Sequence, residues 1–242
     1  MPKWDLHVVL SGLCKPPFAS SEGSDDVIEL KWRTVKTVFF LSLASARRRS
    51  LLHALSAHAP HLLWCRGAVQ GQLVVKLLPQ PGFLAKNQLP TQVPEWITIP
   101  GIAHLNPREP ELLLCPVRQL KLYLRDTKDI RGDRQRLFLH WDSTVEDISQ
   151  AHISRWIVLA VKQSYIEADL DYGSHVTAHE VRAIAASWAY VNQVALMNIM
   201  AAAFWRSPGV FQNSYLRDLA SSANGIYSLG PIVVAQHVVL PP

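Results

Sequence analysis

Residues 177–191 read TAHEVRAIAASWAYV, and the interpretation of the whole chain depends on this stretch. Its apolar residues recur at helical spacing, so we predict a helix that begins at His179. His179 and Arg182 are three residues apart, which places both side chains on one face near the helix N-terminus. The zinc motif HExxH needs a second histidine that this stretch lacks. Arginine, histidine and helix N-terminal N–H groups together suit an anion such as phosphate.

The composition indicates a folded, mildly basic protein. A chain of 242 residues with 49% hydrophobic and 18% charged residues is long enough for one sizeable core. The net charge of +5 permits a polyanionic partner without requiring one. Three cysteines without CxxC spacing predict reduced thiols, neither a disulfide framework nor a zinc site. The start lacks a signal-peptide pattern, and the longest apolar run, residues 194–205, is too short to span a bilayer, so we expect a soluble protein.

The pattern of the chain predicts one mostly helical α+β domain with a small antiparallel sheet. Two β-rich runs, GQLVVKLLPQ and EWITIPG, are joined by a turn-like PGFLAKNQLP. Helical patterns lie on both sides of the sheet. We predict these helical segments: WDLHVVLSGL, a helix from about Asp26, RRRSLLHALSAHA, CPVRQLKLYLRDT, ISQAHISRWIVLAVKQSYIEA capped by Ser149, the helix from His179, 195–204, and a last helix starting at Ser207 and Pro208.

Several other residues have both a functional and an ordinary interpretation. Three arginines, residues 47–49, stand between two apolar helices, so one of them points into a cleft unless the turn is simply solvated. Lys86 lies at a predicted hairpin tip. There its side chain either contacts a ligand or is simply solvated. Trp205 and Tyr215 fit a packed core on periodicity alone. The ordinary interpretation of the other pair is that His179 caps the helix and Arg182 is a surface arginine.

The order of these residues resembles the tyrosine recombinase/integrase family. The resemblance is closest to recombinases of DIRS-like and Crypton-like eukaryotic mobile elements, and it extends from about Trp4 to past Gly230. Four segments carry it: LSLASARRRSLLHALS, LCPVRQLKLYLRDT, AHEVRAIAASWA and AAFWRSPGVFQNSYLRD. It implies six catalytic residues: Arg48 as the first catalytic arginine, Lys86 as the hairpin lysine, His179 and Arg182 as the His-x-x-Arg box, Trp205 at a position held by His or Trp, and Tyr215 as the nucleophile.

The activity that the resemblance implies is DNA strand cleavage and rejoining through a 3′-phosphotyrosyl intermediate, without a metal or another cofactor. The implied partner is double-stranded DNA, bound by a homo-oligomer, a tetramer in this family. A nuclear location also follows from the resemblance alone. We expect the catalytic domain to occupy 1–242, with an entry segment over 1–25 and a tail over 221–242.

Two departures from the family pattern keep other functions open. Leu51 stands where the family usually has glutamate, and we expect the N-terminal domain that clamps DNA to be absent from this chain. One alternative is an inactive DNA-binding relic of a mobile-element recombinase. Another is a type IB topoisomerase-like enzyme that relaxes supercoiled DNA with the same chemistry.

Overall fold

The computed structural model describes residues 4–85, 95–102, 109–142, 147–172, 176–203 and 205. Within these ranges helices pack beside a small sheet, which confirms the predicted α+β class. The elements are α1 (Leu6–Gly12), α2 (Leu30–Ser45), α3 (Arg49–Ala54), β1 (Leu62–Arg66), β2 (Leu73–Leu77), β3 (Ile97–Pro100), α4 (Glu109–Leu114), α5 (Pro116–Asp126), α6 (Lys128–Arg131), α7 (Gln150–Glu167), α8 (Ala178–Val191) and α9 (Leu196–Ala203).

Helix α2 lies at the centre of the fold. Every residue from Arg33 to Ser45 is buried, so this helix has no solvated face after its first turn. It packs against α5, α7 and α8, and its apolar side chains form much of the core. The helix begins at Leu30 and not at about Asp26. Asp25 and Asp26 lie in the loop before the helix, where both pair with Arg118 of α5.

The helices with clear start signals begin close to their predicted positions. Pro116 occupies the first turn of α5, where its missing N–H costs nothing. Ser149 is the N-cap residue of α7, and its backbone N–H donates to Nδ1 of His152 at 2.9 Å. Helix α8 begins at Ala178, one residue before the predicted start, and α9 lies within the predicted range 195–204. The predicted last helix, beginning at Ser207, and the tail over 221–242 lie outside the described residues.

The sheet has three antiparallel strands in the order β1-β2-β3. Both predicted strands are present as β2 and β3, and the register pairs Val75 with Ile99. Strand β1, which pairs Trp64 with Val75, was not predicted from the sequence. The helix predicted over RRRSLLHALSAHA is correspondingly shorter and ends at Ala54. Of the segment between β2 and β3, residues 78–85 and 95–96 are described.

Helix α1 is packed into the core, although it belongs to the predicted entry segment. Asp5 caps it through a hydrogen bond from the His7 backbone N–H at 2.8 Å. The Asp5 N–H in turn donates to the hydroxyl of Tyr165 at 2.6 Å. Gly12 lies so close to α7 that a Cβ at this position would be 2.7 Å from the Cα of Ser164. A glycine is therefore required for α1 to pack against α7.

A buried ion network fixes the start of α2. The Asp25 carboxylate is fully buried and accepts a hydrogen bond from Lys36 Nζ at 2.9 Å. It is also bound by Arg118 and Gln119 of α5. Arg33, one turn before Lys36, donates from Nε to the carboxylate of Asp126 at 2.8 Å. The network therefore joins the loop before α2 to α2 and α5.

Charge pairing outweighs desolvation at Asp25. Burial on its own raises the pKa of this carboxyl, but the nearby Lys36 and Arg118 together hold its pKa below the ordinary value. A carboxyl with a lowered pKa in the folded state stabilises the fold above its unfolded pKa of about 4. That stabilisation is lost as the pH falls through the folded pKa.

Replacing the Asp25 carboxylate should strongly destabilise the protein. In Asp25→Asn the buried cation Lys36 loses its charged partner, so we expect the free energy of unfolding to fall by about 3–5 kcal/mol. Urea unfolding at pH 7 measures this change. The wild type should also lose stability below about pH 4, and Asp25→Asn should lack that part of the pH dependence.

The matched control for this variant is Asp26→Asn. Asp26 also pairs with Arg118, at 2.9 Å, but its side chain is 63% exposed. An exposed pair contributes about 0–1 kcal/mol, so this variant should unfold close to the wild type. Equal losses from the two variants would contradict the assignment of the stabilisation to the buried carboxylate.

Candidate active site

A basic cavity of about 800 Å³ lies where the end of α2, the start of α3, α7 and the N-terminus of α8 meet. Its basic lining residues come from two distant parts of the sequence. No aspartate or glutamate is among the described residues that line it. The cations are Arg47, Arg48, Arg49 and Arg182, and His179 lies beside them.

The backbone at the end of α2 directs three successive arginines to different depths. Ala46 ends the helix in the left-handed region, with φ of 49°, and this reverses the chain. Arg47 is then buried, Arg48 is half-buried as the N-cap residue of α3, and Arg49 is exposed. The sequence prediction that one of these arginines points into a cleft agrees with this arrangement.

Arg47 is the buried arginine of the run 47–49, and its charge is disfavoured there. Burial, opposed by the carboxylate of Glu95 and assisted by the charge of Arg182, lowers the pKa of Arg47 to about 9. Two arginines of one cavity that lower each other's preference for charge favour an anion nearby. Sequence alone does not distinguish Arg47 from its neighbours, because three identical residues in a row give no signal for which one is buried.

Helix α8 supplies the other wall of the cavity. Thr177, Ala178 and His179 line it from the first turn, and His179 is exposed to it. Arg182 lies one turn further on and is 3% exposed. His179 and Arg182 are therefore on one face of the helix, as their spacing predicts.

Trp205 supports Arg182 from behind. Its indole ring is buried, and the guanidinium carbon of Arg182 lies 4.8 Å from the ring centroid. This separation is within the range of a cation–π interaction. The Arg182 guanidinium also donates to the backbone carbonyl of Ala203 at the end of α9. These contacts hold the arginine in one orientation.

The structure thus brings four of the six predicted site residues into one region. Arg48, His179 and Arg182 line the cavity, and Trp205 packs on Arg182. Lys86 and Tyr215 lie outside the described residues. Phe83 and Leu84, which precede Lys86 in the chain, line the cavity themselves.

Two properties of the described ranges concern metals and membranes. They contain no group of three or more His, Cys, Asp or Glu side chains placed to hold a metal ion. In the same ranges no helix has the length and apolar character needed to cross a membrane. Cys14, Cys65 and Cys115 form no disulfide in the structure.

Comparison with known proteins gives a match in structure but not in sequence. No protein-family model matches the sequence, and no curated protein matches it. The crystal structure of the site-specific recombinase XerH, bound to its difH substrate in a pre-cleavage complex, is similar with a TM-score of 0.55. The match covers 91% of this chain at 13% sequence identity.

The similarity to XerH defines the class of fold. This chain has the fold of a tyrosine recombinase catalytic domain, mostly helical with a small three-stranded sheet. It spans 51% of the XerH chain, about half of that recombinase.

Replacing the buried Arg47 by methionine should stabilise the fold. Because the folded state lowers the pKa of Arg47, it disfavours the charged guanidinium, and methionine removes that penalty. We expect the free energy of unfolding at pH 7 to rise by on the order of 1 kcal/mol. The gain should shrink as the pH rises above about 9, where the wild-type penalty is relieved. Urea unfolding at pH 7 and pH 10 measures both effects.

Arg131→Met is the matched control. Arg131 is also a buried arginine with a pKa lowered by burial, and its guanidinium donates to the carbonyls of Arg136 and Leu137 and to the hydroxyl of Thr127. Its removal leaves these acceptors without their donors, so this variant should be less stable than the wild type. If Arg47→Met were destabilised as much as Arg131→Met, Arg47 would be a structural residue of the same kind.

Proposed function

We propose that this chain is the catalytic domain of a DNA strand transferase that cleaves and rejoins DNA through a 3′-phosphotyrosyl intermediate. The observation that carries the proposal is the cavity, in which Arg47, Arg48, His179 and Arg182 converge without an acidic lining residue among those described. A cluster of buried or half-buried cations costs desolvation energy, and an anionic substrate offsets that cost. The backbone phosphate of DNA has the required charge.

In the proposed reaction the Tyr215 hydroxyl attacks the phosphorus of one DNA strand. The new bond joins the tyrosine oxygen to the 3′-phosphate, and the bond from phosphorus to the 5′ oxygen breaks. Lys86 gives a proton to the departing 5′ oxygen, and His179 assists removal of the proton from Tyr215. Rejoining reverses these steps with the 5′ hydroxyl of another strand, so the phosphodiester energy is retained.

The arginines stabilise the charge that develops on the phosphate. Arg182 and the first arginine hold the non-bridging oxygens in the pentacoordinate transition state. The family resemblance gives the first position to Arg48, whereas burial places Arg47 deeper and within the field of Arg182. We assign both to the phosphate site, with Arg48 at the family position. Trp205 is a positioning residue, because it acts on the phosphate through Arg182.

The resemblance and the structural match support a wider proposal. XerH is a site-specific recombinase that was solved on its DNA substrate, and this chain has a similar fold. We therefore propose recombination or integration of double-stranded DNA by a DNA-bound homo-tetramer. A mobile element of the DIRS-like or Crypton-like kind and a nuclear location are further parts of this proposal. Its domain boundaries are the catalytic domain over 1–242, the entry segment over 1–25 and the tail over 221–242.

The covalent intermediate is the direct test. The protein is incubated with a nicked suicide duplex. After cleavage, a short fragment that carries the released 5′ hydroxyl diffuses away, so the strand cannot be rejoined. We expect a covalent protein–DNA adduct on a denaturing gel with the wild type and none with Tyr215→Phe. Tyr172→Phe is the control, because this tyrosine lies in the segment after α7 and contacts Lys162 through its ring, which phenylalanine keeps. An unchanged adduct in Tyr215→Phe would exclude the proposed nucleophile.

The arginines should determine the rate of adduct formation. Loss of a donor that stabilises transition-state charge costs about 10²–10³-fold in rate. We expect losses of this size for Arg48→Ala and Arg182→Lys, measured by single-turnover cleavage. Arg47→Met should also lose adduct formation while keeping its fold. Full activity of Arg47→Met would remove Arg47 from the phosphate site.

Leu51 favours a second candidate function. It is half-buried and packs against the core, where the family usually has glutamate. An acidic group that supports the catalytic arginines is then missing from that position. The chain would in this case be an inactive DNA-binding relic. It would show salt-sensitive binding to duplex DNA and no covalent product on the suicide substrate.

A further inference from the structure

We propose that the cavity contains a second phosphate subsite, formed by Arg49, Ser154 and Gln150, which binds a neighbouring phosphate of the DNA strand that is cleaved. This inference rests on the proposed function, because it extends the same substrate beyond the reacting phosphate. The three residues lie on α3 and α7, on a part of the cavity lining that does not belong to α8.

The cavity is larger than one phosphate group requires. A phosphate has five heavy atoms, and at about 30 Å³ each, the share of one water molecule in the liquid, it occupies about 150 Å³. The cavity is open on one side and has a volume of about 800 Å³. It therefore has room for the reacting phosphate, the attached sugar and the next phosphate.

Arg49 is held in place to serve this second position. Its Nη1 donates to the hydroxyl oxygen of Ser154 at 3.0 Å, which ties an exposed side chain of α3 to α7. Among the described residues, Arg49 forms no ion pair. Its charge is thus directed along the cavity wall without a carboxylate beside it.

Ser154 and Gln150 add neutral donors next to Arg49. They are four residues apart on α7, so they share one face of the helix, and both line the cavity. Ser154 accepts from Arg49 and retains its own hydroxyl proton to donate. An arginine, a hydroxyl and an amide are typical donors to DNA phosphates. Together they form a binding group separate from Arg182 and His179.

Apolar surface in the same cavity is suited to a sugar. Val158 of α7 and Val176 before α8 are half-buried and line the cavity. Deoxyribose is the least polar part of the DNA backbone, so it is the part that this surface would contact. A sugar joins each phosphate of a DNA strand to the next, so one strand can supply groups for the basic and the apolar lining residues.

Salt dependence of DNA binding counts phosphate contacts and so tests the second subsite. Each neutralised phosphate contributes about 0.9 to the slope of log Kd against log salt. We expect Arg49→Gln, bound to a 30-base-pair duplex carrying a fluorophore, to show a slope smaller than the wild type by about 0.9. Arg155→Gln is the matched control, because Arg155 is exposed on α7 directly after Ser154 but does not line the cavity. The slope of log Kd against log salt for Arg155→Gln should be closer to the wild-type slope than that for Arg49→Gln.

A second measurement places the contact on the cleaved strand. Once the cleavage position on the suicide duplex is mapped, each neighbouring phosphate is replaced in turn by an uncharged methylphosphonate. One replacement should slow adduct formation by the wild type at least tenfold, and the same replacement should add no further loss in Arg49→Gln. Additive losses at every position, or an unchanged slope in Arg49→Gln, would overturn the second subsite.

The outcomes separate this inference from the proposed reaction. DNA binding with a reduced slope in Arg49→Gln and no covalent adduct would retain the phosphate subsite and reject strand transfer. Adduct formation together with an unchanged slope would retain strand transfer and reject the subsite. Wild-type protein that binds no duplex would reject both.

Discussion

The pairing of Asp25 with the cations of α2 is the interaction on which the rest of the structure depends. Helix α2 is buried on all sides from Arg33 onward, and two of its buried residues are positively charged. Charges in such a position are tolerated only when they are paired. Asp25 provides the pairing for Lys36 and lies 3.9 Å from Arg33, so the central helix is held at its N-terminal end. The position of its C-terminal end, and therefore of the cavity arginines, follows from this.

The two groups of buried cations in this molecule have opposite electrostatic surroundings. Around Asp25 each cation has a nearby acceptor, and the pKa of the carboxyl is lowered as a result. In the cavity no described lining residue is acidic, and the pKa of an arginine is lowered instead. The first arrangement stabilises the fold. The second concentrates positive charge along a cavity, which is the property expected of a site for an anion.

The sequence predicts those parts of the fold that have a local cause. Pro116 and Ser149 mark the starts of α5 and α7 by their backbone and capping chemistry, and both starts are correct. Strand β1 was missed because LLWCR has no alternation of apolar and polar residues, and only its pairing with β2 makes it a strand. The start of α2 was placed too early because the ion pairs that keep Asp25 and Asp26 outside the helix involve α5, far away in sequence.

The same limit applies to the candidate site. The spacing of His179 and Arg182 places them on one face of a helix, which is a local property, and the structure has them there. Which of residues 47–49 is buried depends on the left-handed turn at Ala46, where an alanine gives no signal of a positive φ. The packing of Trp205 on Arg182 joins α8 to the segment after α9. The spacing of apolar residues along the chain does not predict this contact, because it forms between separate segments.

The run of three arginines after Ala46 has a consequence for how this protein tolerates change. One arginine is buried, the next half-buried and the third exposed, and all three line the same cavity. A shift of the chain by one residue in this turn would still leave an arginine at two of the three depths. Because the three side chains are identical, an insertion or deletion of one residue in the turn would still leave positive charge in the cavity.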